Sequence, residues 1–239
     1  MGGRKDKRSD ESRTVSRRGF LEGAAGAAAF FAVPAHVLGG GGKKSPSDKL
    51  NIAVVGLGAK GFKNAKSCDT ENIVALCDVD WKTASVAFEH FPKAAKYRDY
   101  RRMLDREKNI DAVVVATPDH SHAVVTAEAM KRGKHVYTQM PLTHDVWEAR
   151  RLKQIADETG VVTQMGNERH SGTTVRRACE WIWGGALGGV TQVHCWTNRP
   201  NWPQGMKGAP EKARPRADMD WDLWLGPAPQ RACSRAYHP

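Results

Sequence analysis

Asn51-Ile-Ala-Val-Val55 runs directly into Gly56-Leu-Gly58-Ala-Lys-Gly61, and a second apolar run, Ile73-Val-Ala-Leu-Cys77, ends at Asp78, 17 residues past the last of those glycines. A β-branched strand, a glycine turn, a helical pattern and a second strand closed by an acid form half of a dinucleotide-binding unit. Each residue type has a mechanical use. Gly56 permits the tight strand-to-helix turn, Gly58 leaves room for a pyrophosphate, and Gly61 lets the helix pack close to the sheet. The helix then presents free N–H groups and its positive dipole end to the phosphates, with Lys60 inside the same turn. Asp78 can accept the ribose hydroxyls of NAD, and no guanidinium follows it at Val79 or Asp80 to hold an extra 2′-phosphate.

The alternation continues downstream. Trp81 to Phe91 has helical spacing stopped by Pro92, and Tyr100 to Arg106 reads as a short helix. Asp111-Ala-Val-Val-Val-Ala116 is a near-continuous apolar strand, as in a parallel sheet covered on both faces. His120 to Arg132 is helical, and His135 to Thr138 is a brief strand. Asp145 to Thr159 is a helix closed by Gly160, and Val161 to Met165 is the next strand. The fold class is therefore α/β, a doubly wound parallel sheet of Rossmann type. The nucleotide domain is set at 49–166.

The remainder, 167–239, differs in kind. Thr174 to Trp183 is an amphipathic helix, and Val190-Thr-Gln-Val-His-Cys-Trp-Thr197 has the period-2 pattern of a strand. Beyond it the chain is rich in Pro, Trp and Gly. This reads as the start of an α+β antiparallel-sheet substrate domain, left incomplete by too few residues to cover a sheet.

The N-terminus predicts targeting. Ser16-Arg17-Arg18-Gly19-Phe20-Leu21 precedes an alanine-rich apolar stretch from Ala24 to Val33 and the small residues around Ala35. That stretch is too short for a bilayer core of about 30 Å, which needs roughly 20 residues. Segment 1–38 resembles a twin-arginine export signal, with the Tat machinery as partner and a periplasmic or otherwise exported destination. A Gly/Ser/Lys linker occupies 39–48.

The whole chain carries 37 Lys/Arg against 26 Asp/Glu. Residues 1–49 hold ten basic and five acidic groups, so the rest has 27 against 21, an excess of +6. Without a basic tract or aromatic–basic interleaving, nucleic-acid binding is not expected. Cys68, Cys77, Cys179, Cys195 and Cys233 show no metal-ligand spacing, so neither a metal nor a disulfide framework is expected. Homo-oligomer formation is compatible with the sequence.

Three consecutive strand ends place polar groups on one rim of the sheet: Thr117, Pro118 and His122; Gln139 and Pro141; Asn167 and His170. With the Trp-rich runs Trp196-Thr-Asn-Arg-Pro-Asn-Trp-Pro-Gln-Gly205 and Asp220-Trp-Asp-Leu-Trp-Leu-Gly-Pro-Ala-Pro229, these motifs resemble the Gfo/Idh/MocA oxidoreductases, the glucose–fructose oxidoreductase and inositol dehydrogenase group. The resemblance covers roughly Lys49 to the C-terminus. It implies an NAD(H)-dependent oxidoreductase acting on a sugar or cyclitol hydroxyl, with Gly56, Gly58, Lys60, Gly61, Asp78, Thr117, Pro118, His122, Gln139 and Pro141 around the cofactor, and Asn167 and His170 toward the substrate. The alternatives are an NAD-using glycosidase of the same superfamily and a catalytically impaired dinucleotide-binding fragment. The family's Glu-Lys-Pro motif reads Gln139-Met140-Pro141 here, and methionine has no proton to exchange. The family's catalytic Asp/His pair falls in the part of the substrate domain beyond residue 239. His122 and His170 then stand as candidates for the proton transfer.

Overall fold

The structure, a computed structural model, describes residues 45, 48–197, 208 and 210–237. The export segment 1–38, nearly all of the linker 39–48 and most of the first Trp-rich run lie outside the described residues. The chain divides into two units, Met1–Lys49 and Leu50–Pro239, and the fold below is that of the second.

Strands and helices alternate from its start: β1 Asn51–Val55, α1 Ala59–Ser67, β2 Asn72–Cys77, α2 Trp81–His90, β3 Ala95–Tyr97, α3 Tyr100–Arg106, β4 Ala112–Val115, α4 His122–Lys131, β5 His135–Gln139, α5 Val146–Thr159 and β6 Thr163–Gly166. All six strands are parallel, in the order β3-β2-β1-β4-β5-β6. This is the Rossmann arrangement, and the order reverses between β1 and β4. Ligands of open α/β sheets bind in the crevice at that reversal, outside the carboxyl ends of the strands.

Sequence period decides which side each residue serves. In β1, Ile52 and Val54 point to one face and Ala53 and Val55 to the other, and all four are buried. On the first face Ile52, Val54, Leu76 and Val114 pack against Ala65 of α1 and Ala84, Ala87 and Phe88 of α2. On the second, Ala53, Val55, Val113, Val115 and Val136 meet Met103 and Leu104 of α3, Val125, Ala129 and Met130 of α4, and Leu152 and Ile155 of α5. Two apolar layers enclose the middle strands, which is why those strands read as continuous apolar runs.

Helix ends follow local chemistry. Asp80, Asp99 and Asp145 cap α2, α3 and α5, each accepting first-turn N–H groups. The Asp145 cap is reciprocated by Glu148, whose Oε2 accepts the His144 N–H at 2.8 Å, and α5 ends on Gly160 at φ +67°. Strand β3 escapes sequence reading because three residues show no period.

Beyond β6 the strand expected at 190–197 does not form among the described residues. Helix α6, Thr173–Trp183, forms as the periodicity predicts but buries none of its residues. Residues 190–197, expected to be a strand, are irregular and exposed. A period-2 pattern needs a neighbouring strand to supply hydrogen bonds, and no described residue provides one. The last described stretch, 210–237, contains one short helix, α7 Trp221–Leu225, and packs back onto the Rossmann unit.

Candidate functional site

A cleft of about 650 Å³ opens at the carboxyl ends of β1, β2 and β4. The glycine turn forms its floor. Gly56 sits at φ +86°, and a Cβ there would lie 2.5 Å from the Ala116 carbonyl group. A Cβ on Gly61 would lie 1.9 Å from the Gly56 carbonyl oxygen, so α1 can start this close to the turn only without a side chain. Gly58 differs: its nearest neighbour would be Thr83 Cγ2 at 3.9 Å, and the position faces open space.

Helix α1 also starts differently from its neighbours. Gly58 at its N-cap offers no side-chain acceptor, whereas α2, α3 and α5 are capped by aspartates. The first-turn N–H groups of α1 therefore face the cleft as an anion site with the helix dipole behind them.

Asp78 stands on the adjacent wall. Its Oδ2 accepts the Leu57 N–H at 2.6 Å and its Oδ1 the Asp80 N–H at 2.8 Å. Two backbone donors fix the carboxylate against the glycine turn. Behind it lies Cys77, whose thiol is pushed well above its ordinary pKa by burial and then by the charges of Asp78 and Asp99. That thiol stays protonated and unreactive.

The β4 end supplies Thr117 and Pro118. Thr117 Oγ1 is buried on the cleft wall and has no hydrogen-bond partner among the described residues. An orphaned buried hydroxyl costs about 1–3 kcal/mol, and a ligand oxygen in the cleft would relieve it. A glycine cradle, uncapped N–H groups, a fixed carboxylate and an unsatisfied hydroxyl together fit a pyrophosphate-linked dinucleotide.

His122 corrects the sequence expectation. It is 1% exposed, Nδ1 lies 2.6 Å from the Pro141 carbonyl oxygen, and Nε2 lies 2.7 Å from that of Thr117. Donation to both carbonyls at once requires a proton on each nitrogen, and a neutral ring has one N–H to share between them. The ring is buried and both nitrogens face backbone carbonyls, so neither opens onto the cleft where a substrate proton would be exchanged. His122 ties the β4 and β5 ends together, and the catalytic role expected of it does not suit this position.

Gln139 and Pro141 stand behind the cleft rather than on its walls. Gln139 Oε1 accepts from Asn64 Nδ2 at 3.2 Å, and its Nε2 points to the Gly166 carbonyl at 3.5 Å. An amide suits this slot because it can donate toward that carbonyl and still accept from Asn64, whereas a carboxylate only accepts. Met140 is 55% exposed.

At the β6 end, Asn167 caps a 3₁₀ turn, Glu168–Ser171, which contains His170 and in which no residue is buried. Lys60 Nζ pairs with Glu168 Oε2 at 2.7 Å, and Lys63 Nζ approaches the same oxygen at 3.6 Å. These ammonium groups hold the Glu168 carboxyl below its ordinary pKa. Lys60 thus links the glycine turn to the turn after β6. The side chains of Asn167 and His170 lie outside the cleft walls and make no hydrogen bonds among the described residues.

Sequence reading missed a whole wall. Arg98, Asp99, Tyr100 and Arg101 arrive from the β3 end, and Asp222, Leu223, Trp224 and Gln230 from beyond α6. Both arginines are engaged. Arg98 lies over the Trp81 ring at 4.6 Å and donates to the Asp218 carbonyl at 3.0 Å, and Arg101 grips Asp99 through two bonds of 2.9 and 3.1 Å. A strand as short as β3, Ala95-Lys96-Tyr97, gives no sequence signal that its end carries site residues.

Comparison with known proteins agrees with this geometry. Residues 50–167 match the family described as "Oxidoreductase family, NAD-binding Rossmann fold" (GFO_IDH_MocA). Among curated proteins, glycosyl hydrolase family 109 protein 1 of Shewanella sp. (strain ANA-3) is 31% identical over 122 residues, covering 46% of this chain and 26% of that protein. Among solved structures, myo-inositol 2-dehydrogenase from Lactobacillus plantarum superposes with a TM-score of 0.55 at 27% identity, over 59% of this chain and 43% of that one. GenD2 from gentamicin A biosynthesis, solved in complex with NAD, gives 0.54 at 26% identity, over 58% and 40%. The chain spans about a quarter of the length of the curated relatives it matches. Its residues 50–167 form an NAD-binding Rossmann domain of the Gfo/Idh/MocA oxidoreductase family.

Proposed function

We propose that this protein is an NAD(H)-dependent oxidoreductase acting on a hydroxyl of a sugar or cyclitol. The observation that carries this reading is the cleft at the β1/β4 reversal, where the uncapped start of α1, the fixed Asp78 carboxylate and the orphaned Thr117 hydroxyl converge. The nicotinamide, when bound, supplies the hydride acceptor or donor. The chain holds the pyrophosphate through the α1 N–H groups, orients the adenosine ribose at Asp78 and keeps Thr117 available to the cofactor. Tie His122 and amide Gln139 hold the β4, β5 and β6 ends in register.

The preferred cofactor is NAD(H). Asp78 repels a 2′-phosphate, and Arg98 and Arg101, the two guanidinium groups on the same wall, are committed to Asp218 and Asp99. Calorimetric titration of NAD⁺ and NADP⁺ into the purified protein tests this. Tighter binding of NAD⁺ is expected, and tighter NADP⁺ would overturn it.

Proton transfer is the weaker half of the site. Met140 stands where the family lysine is expected and has no titratable proton. His170, exposed on the turn after β6, is the imidazole left to accept one. Low turnover is therefore expected when inositols and hexoses are offered with NAD⁺ and absorbance is followed at the NADH band. Sugar release from a glycoside without net NADH would favour the glycosidase relatives instead.

The twin-arginine segment supports export. Replacing Arg17 and Arg18 together by Lys keeps the charge and removes the recognised pair, so the protein should stay in the cytoplasm. Unchanged export in a fractionation assay would dismiss that pathway.

A further inference from the structure

We infer that residues 216–230 are a built part of the dinucleotide site, an outer wall that spans the adenosine end of the cleft and slows escape of the nucleotide. This rests on the cleft being an NAD(H) site, as proposed above.

The segment is anchored on both rims. On the β2 side, Arg216 pairs with Asp80, whose carboxylate is 3% exposed, and its Nε reaches Asp218 at 2.9 Å. The Asp220 N–H donates to the Val79 carbonyl at 2.9 Å, the Trp81 N–H to the Asp218 carbonyl at 3.0 Å, and Asp80 and Met219 form an antiparallel bridge. On the β4 side, His120 Nε2 lies 2.9 Å from the Trp224 carbonyl oxygen, and the His120 ring meets the Trp224 ring edge-on at 5.3 Å. Close packing continues at Gly226, where a Cβ would lie 3.2 Å from Ser121 Oγ.

Between these anchors the segment turns its inner side to the cleft. Asp222, Leu223, Trp224, Gly226, Pro227 and Gln230 line the volume opposite Tyr100, Ser121 and Val124. Asp78 fixes which end this is, because the carboxylate after the second strand serves the adenosine ribose. The segment is stiffened from outside: Trp221 and Trp224 stack at 4.7 Å and 10°, Trp221 Nε1 donates to the Arg231 carbonyl at 2.8 Å, and Gln230 Nε2 to Asp222 at 2.8 Å. Leu225 is 1% exposed, so the wall carries its own apolar anchor.

A ligand enclosed between two anchored rims leaves only when the wall opens or when it slides out along the cleft. Loosening the anchors should therefore act mainly on the dissociation rate. Stopped-flow displacement of NADH from the full chain tests this, comparing the unaltered protein with Arg216→Ala, His120→Ala and the pair. Hydrogen exchange of 216–230 is followed with and without NAD⁺.

We expect the double variant to release NADH at least tenfold faster with its sheet amides still protected, and NAD⁺ to slow exchange across 216–230. NADH release at the unaltered rate in the double variant, or exchange of 216–230 indifferent to NAD⁺, would overturn the wall while leaving the NAD site intact. Tighter NAD⁺ binding in Arg216→Ala would overturn it too, since the segment would then be a competitor. Absence of any NAD⁺ binding to the unaltered chain would overturn the NAD site and the wall with it.

Discussion

Residues 50–166 and the stretch that follows them differ in what their patterns amount to. In the first, the apolar runs of the middle strands have partners: Val113 and Val115 meet one helical layer and Val114 the other. In the second, α6 carries a clean helical period yet leaves Trp183 82% exposed, and the alternating 190–197 run forms no strand. Period states which residues share a face. Burial of that face depends on a partner elsewhere in the chain, and only the first region has partners among the described residues. Residues 210–237 are an intermediate case, held by a few anchors on the cleft rims rather than by a core.

The comparison breaks most easily at the glycine turn. Gly61→Ala places a Cβ 1.9 Å from the Gly56 carbonyl oxygen, which is backbone and cannot rotate away. Either α1 moves off the turn or the turn opens. We expect a loss of more than about 3 kcal/mol in denaturant unfolding, with NAD⁺ binding abolished. Near-normal stability would show that the start of α1 tolerates displacement and that the close packing is not required.

His122 tests the same region in its second layer. His122→Phe keeps a ring of similar size but removes the N–H that the Thr117 and Pro141 carbonyls share. A stranded buried group costs about 1–3 kcal/mol, so a loss of about 1–3 kcal/mol is expected in chemical denaturation. If stability instead holds and only turnover falls, a catalytic role for His122 would return.

An intermediate effect is expected at the cleft wall on acidification. Burial alone would raise the Asp80 carboxyl, but the Arg216 guanidinium and the Thr83 N–H and hydroxyl outweigh it and hold it below the usual carboxylate range. A depressed folded value contributes stability above the ordinary carboxylate pKa of about 3.9, and that stability is lost as pH falls through the folded value. Asp78, Asp218 and Arg98 are other charged groups close by. Tryptophan fluorescence from Trp221 and Trp224 should therefore change below about pH 4, before the far-ultraviolet signal of the sheet is lost. Coincident loss of both signals would place the segment within the core's cooperative unit.

Legibility in the sequence follows the range of the interactions. The glycine turn, Asp78 and the α5 caps Asp145 and Gly160 are local, and each stands where its residue type predicts. Asp80 and Arg216 are 136 residues apart, and His120 and Trp224 are 104 apart. Nothing in a window of a dozen residues joins them. The same holds for Arg98 and Arg101, which reach the cleft only because β3 adds to the sheet edge. His122 misled for a different reason. A histidine at a strand end suits catalysis by type, and its engagement by two carbonyls depends on how the β5 end folds beside it.

The smallest effect should come from the region whose pattern has no partner. Val193→Pro removes an N–H and fixes φ at the centre of the alternating 190–197 run. In a paired strand that change breaks a ladder hydrogen bond and is tolerated only at edges or bulges. Here Val193 is 76% exposed and 190–197 is irregular, so no described ladder is broken. We expect a change within about 0.5 kcal/mol in denaturant midpoint and unaltered NAD⁺ affinity. A loss above about 2 kcal/mol would mean that 190–197 pairs in solution, either with a residue outside those described or with another chain. Sedimentation of the unaltered protein and the Val193→Pro variant would separate the two. Concentration-dependent mass in the unaltered protein alone would assign the alternating run to an intermolecular sheet edge, and equal monomeric mass in both would assign it to pairing within the chain.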